Sequence, residues 1–394
     1  MRLTSFIGFN SAYADLPGVL LLGFRPFYLL ASIFAALSIP LWAMQYAGWL
    51  PGSPLGPLWH AHEMLFGFTM AVVAGFLLTA VRNWTARPTV TGAPLACIAL
   101  VWIAGRMLEL TSLALAAAIV NAAFPLLIAG AIGIPLVRAN NRRNYFFIVL
   151  MVALGATALV VDLSQLGLFV MPESVGLSTA LDLIMFIVAV MAGRVIPMFT
   201  NNGVRGATAR RVPLLERFAL AATLGVLLVD SALPVSALLV PLLLVAVVLH
   251  ATRLLLWKPW QALAVPLVWA LHLAYAWLPV HLAMRALAAL DVVPAVLATH
   301  ALTIGVIGGM TIAMMTRTAR GHTGQALRAD GYDVACYALV TSAAVVRVFG
   351  PLLAESAYVG TVLVAATLWS LAYGLYAWRY WPLLTAPRAD GKPG

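Results

Sequence analysis

The sequence predicts an all-α membrane protein, a bundle of about twelve transmembrane helices with both termini cytoplasmic. Three observations lead there. Hydrophobic residues make up 63% of the chain and charged residues only 9%, with a mean hydropathy of +0.99, far from the mix of a soluble domain. A chain of 394 residues has room for about a dozen spans of roughly 20 residues each. The basic residues alternate between loops, as the positive-inside rule requires.

Apolar runs between charged or Pro/Gly-marked breaks place the spans in order. The first, 24–46, opens at Arg25-Pro26; the second, 58–81, closes at Arg82 and Arg87. Spans at 93–109 and 113–137 follow, the latter ended by Arg138, Arg142 and Arg143. Those at 145–167 and 176–199 lead into a basic loop with Arg194, Arg205, Arg210, Arg211 and Arg217. Next come 213–231 and 234–252, bounded by Arg253 and Lys258, then 262–286 and 295–316, bounded by Arg317, Arg320 and Arg328. The last two are 332–352 and 357–378, after which lie Arg379, Arg388 and Lys392. With the N-terminus inside, Arg2 and Arg25 join this set, and all 23 basic residues are cytoplasmic except Arg106, Arg285 and Arg347. Residues 1–385 then form one membrane domain, and 386–394 read as a disordered cytoplasmic tail.

The charge of +10 is dispersed over short loops beside spans, so topology explains it without a nucleic-acid partner. Membrane lipid is the partner that composition implies. Cys97 and Cys336 both fall inside spans, which excludes a disulfide framework or a cysteine metal site. No small-residue cleavage site follows the first apolar run, so no removable signal peptide is expected. No internal repeat is evident.

An intramembrane imidazole is a functional hypothesis by default, and five of the seven histidines lie at or outward of mid-membrane. His60 and His62 open the second span, His281 lies near the outer end of the ninth, and His300 enters the tenth from outside. His272, about ten residues into the ninth span, falls roughly 15 Å from its inner end. Residues at i and i+2 of a helix point about 200° apart, so with Pro57 at the first helical position His60 and His62 face different neighbours. His272 and His281 diverge too. Two redox centres, or a haem plus a copper, suit this set better than one tetrahedral ion, and neutral imidazole ligates both metals.

Carboxylates join the outer layer. Glu63 adjoins the histidine pair, Asp162 ends the fifth span, and Asp182 lies about two turns inside the sixth. Asp182 either orients a ligating imidazole or carries protons, or simply bonds a neighbouring helix. At the inner face Arg25, Arg194, Arg317 and His322 form a layer that either contacts an anion such as haem propionate or anchors the helix ends. Gly305 and Gly309 are a small-xxx-small pair admitting a close helix neighbour; within a membrane helix they cannot cradle a phosphate.

The strings GFRPFYLL (23–30), WHAHEMLFGF (59–68), GRVIPMFT (193–200) and THALTIGVIGGMTIAMMTRTARGHTG (299–324) resemble the NnrS family of bacterial membrane proteins over nearly the whole chain. The resemblance implies a multi-pass inner-membrane protein containing haem and copper, associated with denitrification, nitric oxide and nitrosative stress. It implies binding or conversion of nitric oxide, or of a metal-nitrosyl species, at a histidine-ligated centre near the periplasmic side. On that footing His62, His272 and His300 are the expected haem ligands, His60 and His281 the expected copper ligands, and Glu63 and Asp182 the relay or orienting groups. Turnover would require an electron donor, for which no site is legible.

A fainter similarity joins the chain to the haem–copper oxidases, in twelve helices and a histidine opening the second. Here no His-His pair occurs, and His300 stands alone where those enzymes have two closely spaced histidines. The competing expectations are a secondary transporter, with Asp182 and the histidines as proton relay and Pro40, Pro125, Pro135, Pro197 and Pro266 interrupting helices, and a non-catalytic haem or copper handling protein.

Overall fold

The computed structural model describes residues 16–51, 55–232, 237–353 and 355–391; Arg2 and Lys392, counted above as inner charges, lie outside them. Twelve long helices run in order: α1 (Phe24–Tyr46), α2 (Pro57–Thr85), α3 (Gly92–Leu108), α4 (Ala114–Arg138), α5 (Phe146–Gln165) and α6 (Glu173–Gly203). Then come α7 (Pro213–Ala232), α8 (Leu239–Leu256), α9 (Pro266–Ala288), α10 (Ala295–His322), α11 (Gly331–Leu353) and α12 (Tyr358–Thr385). Among the described residues no strand occurs.

Ten of these helices are long and apolar enough to cross a bilayer. Of the other two, α3 has 17 residues, and α7 carries Glu216, Arg217 and Asp230 within its length. Large apolar side chains such as Leu100, Ile119, Val149, Val248 and Trp381 are exposed around the bundle, as lipid requires and water would penalise. The chain is a multi-pass membrane protein.

Sequential helices pack side by side, and α12 lies against α1. The first and last helices thus meet, which turns the row into a closed bundle. Pro57 sits at the first turn of α2 after an extended Gly56, the position where its missing N–H costs nothing. Pro40, Pro125, Pro135 and Pro197 lie within continuous helices, whose freed carbonyls neighbouring helices can satisfy. Pro266, by contrast, starts α9 rather than interrupting it. Residues 259–262 make a separate 3₁₀ turn, so His272 stands only about 9 Å from the helix start, not the 15 Å expected from the sequence.

Two helices depart from α geometry. Glu63–Thr69 in α2 and Ala301–Gly308 in α10 are π-helical, each preceded by one turn of α-helix that carries His60 and His62, or His300. Such turns free carbonyls and occur often at functional sites. Here side chains take up those carbonyls: Trp102 Nε1 donates to Gly67 O at 3.0 Å, Thr69 Oγ1 to Met64 O at 2.7 Å, and Tyr373 OH to Gly308 O at 3.1 Å.

Gly305 and Gly309 do admit a neighbour. A Cβ on Gly305 would lie 2.5 Å from the Trp277 indole, and one on Gly309 would lie 2.8 Å from the Ala274 Cβ, both on α9. Residues 386–391 return to the bundle: Ala389 N–H donates to Thr323 O at 3.0 Å and Arg388 Nη1 to His322 O at 3.0 Å.

Candidate functional site

The α-helical first turns of α2 and α10 bring His60 and His300 to one cavity of about 910 Å³, mouth included, walled by α1, α2, α6, α10, α11 and α12. Its walls are apolar, with Trp42, Phe68, Leu181, Ile304 and Trp369 among them. Two imidazoles and a guanidinium break this lining, together with Thr69, Thr299 and Thr303.

His60 stacks on Trp42 with ring centroids 3.9 Å apart and planes 17° from parallel, which fixes its plane. Its Nδ1 is buried with no hydrogen-bond partner. His300 Nδ1 lies 2.6 Å from Val296 O; a carbonyl can only accept, so Nδ1 carries the proton and Nε2 the lone pair. A backbone carbonyl on one ring nitrogen is the usual support of a ligating imidazole. Arg347, 4% exposed, donates through Nη2 to Tyr358 OH at 2.8 Å. Its Nη1 is buried without a partner, and no described carboxylate pairs with it. A guanidinium in an apolar cavity calls for an anion, and its fork suits a carboxylate.

His62, two residues on, faces elsewhere, as helix geometry requires. Its Nδ1 is 3.0 Å from Glu63 Oε1 and its Nε2 3.0 Å from Asp162 Oδ1, with Glu109 at 4.0 Å. Arg106 lies 3.1 Å from Glu63 and also donates to Asn121 Oδ1, while Asn121 Nδ2 donates to Glu109 at 2.5 Å and Asp162 at 3.4 Å. This polar cluster joins α2, α3, α4 and α5. Glu109 lies just beyond α3, where burial raises its carboxyl above the usual value and the nearby carboxylates add to that, against the pull of His62 and Arg106.

His281 occupies a third place. Its Nδ1 donates to Ala298 O at 2.8 Å, leaving Nε2 buried and unpartnered in a cavity shared with Asp182, Asp230 and Arg285. Leu181 and Thr299 line both this cavity and that of His60 and His300, so the two are neighbours. Asp182 is held bidentately by Arg285 at 2.6 and 3.1 Å, and Arg285 also reaches Asp230 at 2.8 Å. The sequence expects a partner for an ionised Asp182 and does not find this one.

His272 stands apart from all three. Thr200 Oγ1 gives its proton to Ile196 O at 2.8 Å, so His272 Nε2, 2.8 Å from that oxygen, is the donor. The expected haem set of His62, His272 and His300 is therefore not assembled around one cavity, and neither is the copper pair of His60 and His281. The arrangement joins His60 with His300.

The four residues expected at the inner face each contact a neighbouring segment rather than gather at one site. Arg25 Nη1 donates to Leu384 O at 3.2 Å and Ala386 O at 2.6 Å, taking up carbonyls at the end of α12. Arg194 donates to Asn144 at 2.6 Å beneath Phe146. The Arg317 guanidinium lies 3.8 Å over the Phe199 ring, a cation–π contact, and the His322 ring packs 5.7 Å from Phe24.

The four quoted strings now have physical roles. WHAHEMLFGF and THALTIG build the paired π-turns with their histidines. Gly193, which opens GRVIPMFT, makes room for the buried Arg253–Glu216 pair, whose groups a Cβ there would strike. The NnrS family, described as NnrS protein, matches residues 18–388.

The chain belongs to the NnrS family.

A comparison with curated proteins gives no match. The family match spans all twelve helices, so the histidine cavity, the His62 cluster and the His281 cavity are all parts of an NnrS fold.

Sequence reasoning found every histidine of these sites and missed their cations. Arg106, Arg285 and Arg347 are the three basic residues that broke the charge rule, and each lies in one of the three sites. A lone arginine on the translocated side of a membrane protein was the available signal.

Proposed function

We propose that the cavity between α2 and α10 holds a haem, ligated through His300 Nε2 and His60, with Arg347 pairing a propionate. The observation that carries this reading is the coincidence, in one apolar cavity, of two imidazoles with unused nitrogens and a buried guanidinium without a counter-ion. Bound there, haem iron would take up a small diatomic ligand where one of the two imidazoles gives way, and nitric oxide is the ligand that NnrS membership suggests. The chain's own contributions are chemical and steric. Val296 O holds His300 in the tautomer that presents Nε2, Trp42 fixes the plane of His60, and the apolar walls exclude water.

Copper is the second metal that the family resemblance implies, and His281 Nε2, beside the haem cavity, is the imidazole best placed to donate to it. The reading puts the protein in the bacterial inner membrane, in the response to nitric oxide and nitrosative stress.

The test is optical and elemental analysis of the detergent-purified protein, followed by nitric oxide titration. Expected is a Soret band that shifts with nitric oxide and is lost or displaced in His300→Ala and in His60→Ala. A protein that binds no haem, or spectra unchanged in both variants, would reject the assignment.

A further inference from the structure

The cluster around His62 is rich in carboxylates. Glu63, Glu109 and Asp162 face a single guanidinium, that of Arg106, with one imidazole among them. Glu63 and His62 are 1% and 2% exposed and Asp162 is 7% exposed. Carboxylate oxygens and an imidazole gathered in one buried place are the donor types that hold a cation.

Two details say what kind of cation. His62 Nε2 lies 3.0 Å from Asp162 Oδ1 yet is in no hydrogen bond with it; nitrogen and oxygen sit side by side rather than along an N–H···O line. Glu63 Oε2 is also buried without a partner. Ligands of one metal ion are arranged like this: donors bound at 2.0–2.2 Å are roughly 3 to 4 Å apart and aim at a common point.

We propose that His62, Glu109 and Asp162 form a binding site for a divalent first-row cation of the zinc or manganese kind. Each offers one donor atom, and these atoms lie within 4.8 Å of one another. One imidazole and two carboxylates suit Zn²⁺ or Mn²⁺ rather than a soft monovalent ion. Glu63 Oε1, 3.0 Å from His62 Nδ1, accepts its proton and holds Nε2 free for the metal. Glu109, whose side chain is 19% exposed, lies at the end of α3 and gives the ion its way in. Asn121 bonds both carboxylates and sets their separation. The site shares no residue with the His60–His300 cavity and stands or falls independently of the haem reading.

The experiment strips full-length protein in detergent with a chelator, equilibrates it with Zn²⁺ or Mn²⁺ alone, and measures retained metal after gel filtration. Expected is one equivalent of at least one of the two ions per chain. Asp162→Asn, His62→Gln and Glu109→Gln should each weaken retention by about tenfold or more. Glu109→Gln, at the rim, keeps the test decisive where the buried changes unfold the chain, and a monodisperse gel-filtration peak identifies the folded variants. Retention of neither ion by the wild-type protein, or equal retention by every folded variant, overturns the proposal.

Discussion

His60 and His300 reach one cavity from two separate helices. Each is followed by an alanine, each leads into a π-helical stretch, Glu63–Thr69 or Ala301–Gly308, and both rings line one cavity. The likeness extends to the way the stretches are supported, since Trp102 takes up the Gly67 carbonyl and Tyr373 that of Gly308.

Arg347 separates a binding role from a structural one. Its Nη1 has no partner in the cavity, and exchanging an unpaired buried cation for an apolar side chain is neutral or stabilising. Arg347→Met should therefore leave the melting temperature of haem-free protein unchanged or higher, while lowering haem retention. A variant that melts early and keeps its full Soret absorbance would assign Arg347 to packing alone.

Gly305 has no room for a side chain against Trp277. Gly305→Val should destabilise the protein by about 1–3 kcal/mol, the usual effect of overpacking a tight interior, and should spread α9 from α10. Thermal unfolding in detergent measures this; a shift no larger than that of an exposed control such as Gly360→Val would show that the contact is soft.

Arg285 ties two helices to its own. Arg285→Met leaves Asp182 and Asp230 facing each other unpaired, a loss of about 3–5 kcal/mol for a broken buried pair. Adding Asp182→Asn should recover part of the loss, because it removes one stranded charge. Additive losses in the double variant would show that the groups do not interact.

How much of this was legible depends on which force sets each feature. Composition and charge alternation place all twelve helices, because lipid imposes those patterns directly. Helix phase sends His60 and His62 to different neighbours, and Gly305 and Gly309 read as packing glycines. The pairing of His60 with His300 was not legible. A helical wheel drawn straight through residues 57–85 assumes 100° per residue, and the π-helical residues change that step midway. The depth of His272 was overestimated because residues 262–265, which precede the helix start at Pro266, were counted into the span. Glu109 escaped notice because a carboxylate at a helix end reads as a surface group.

At the opposite end of the bundle, Asp330 precedes α11. Burial alone would raise its carboxyl, but the Asp333 backbone, Arg379 and Arg320 together hold it below the usual carboxylate value. A depressed carboxylate contributes stability above its unfolded value and loses it as pH falls through the folded one. Asp330→Asn should thus lower the melting temperature at pH 7, with the difference from wild type shrinking below about pH 4. An equal difference at both pH values would show that charge is not what Asp330 supplies.

The π-helical stretch of α2 has a consequence for chain length. It accommodates a surplus residue, and removing any one residue between 63 and 69 would let the helix relax into ordinary winding. A π turn fits one more residue into nearly the same rotation, so both ends of α2 would keep their phase and His60 its place on Trp42, while the carbonyls that Trp102 and Thr69 take up would close onto the helix backbone. A single lost codon at that spot would be tolerated there, where the same loss from an evenly wound helix would turn one end against the other.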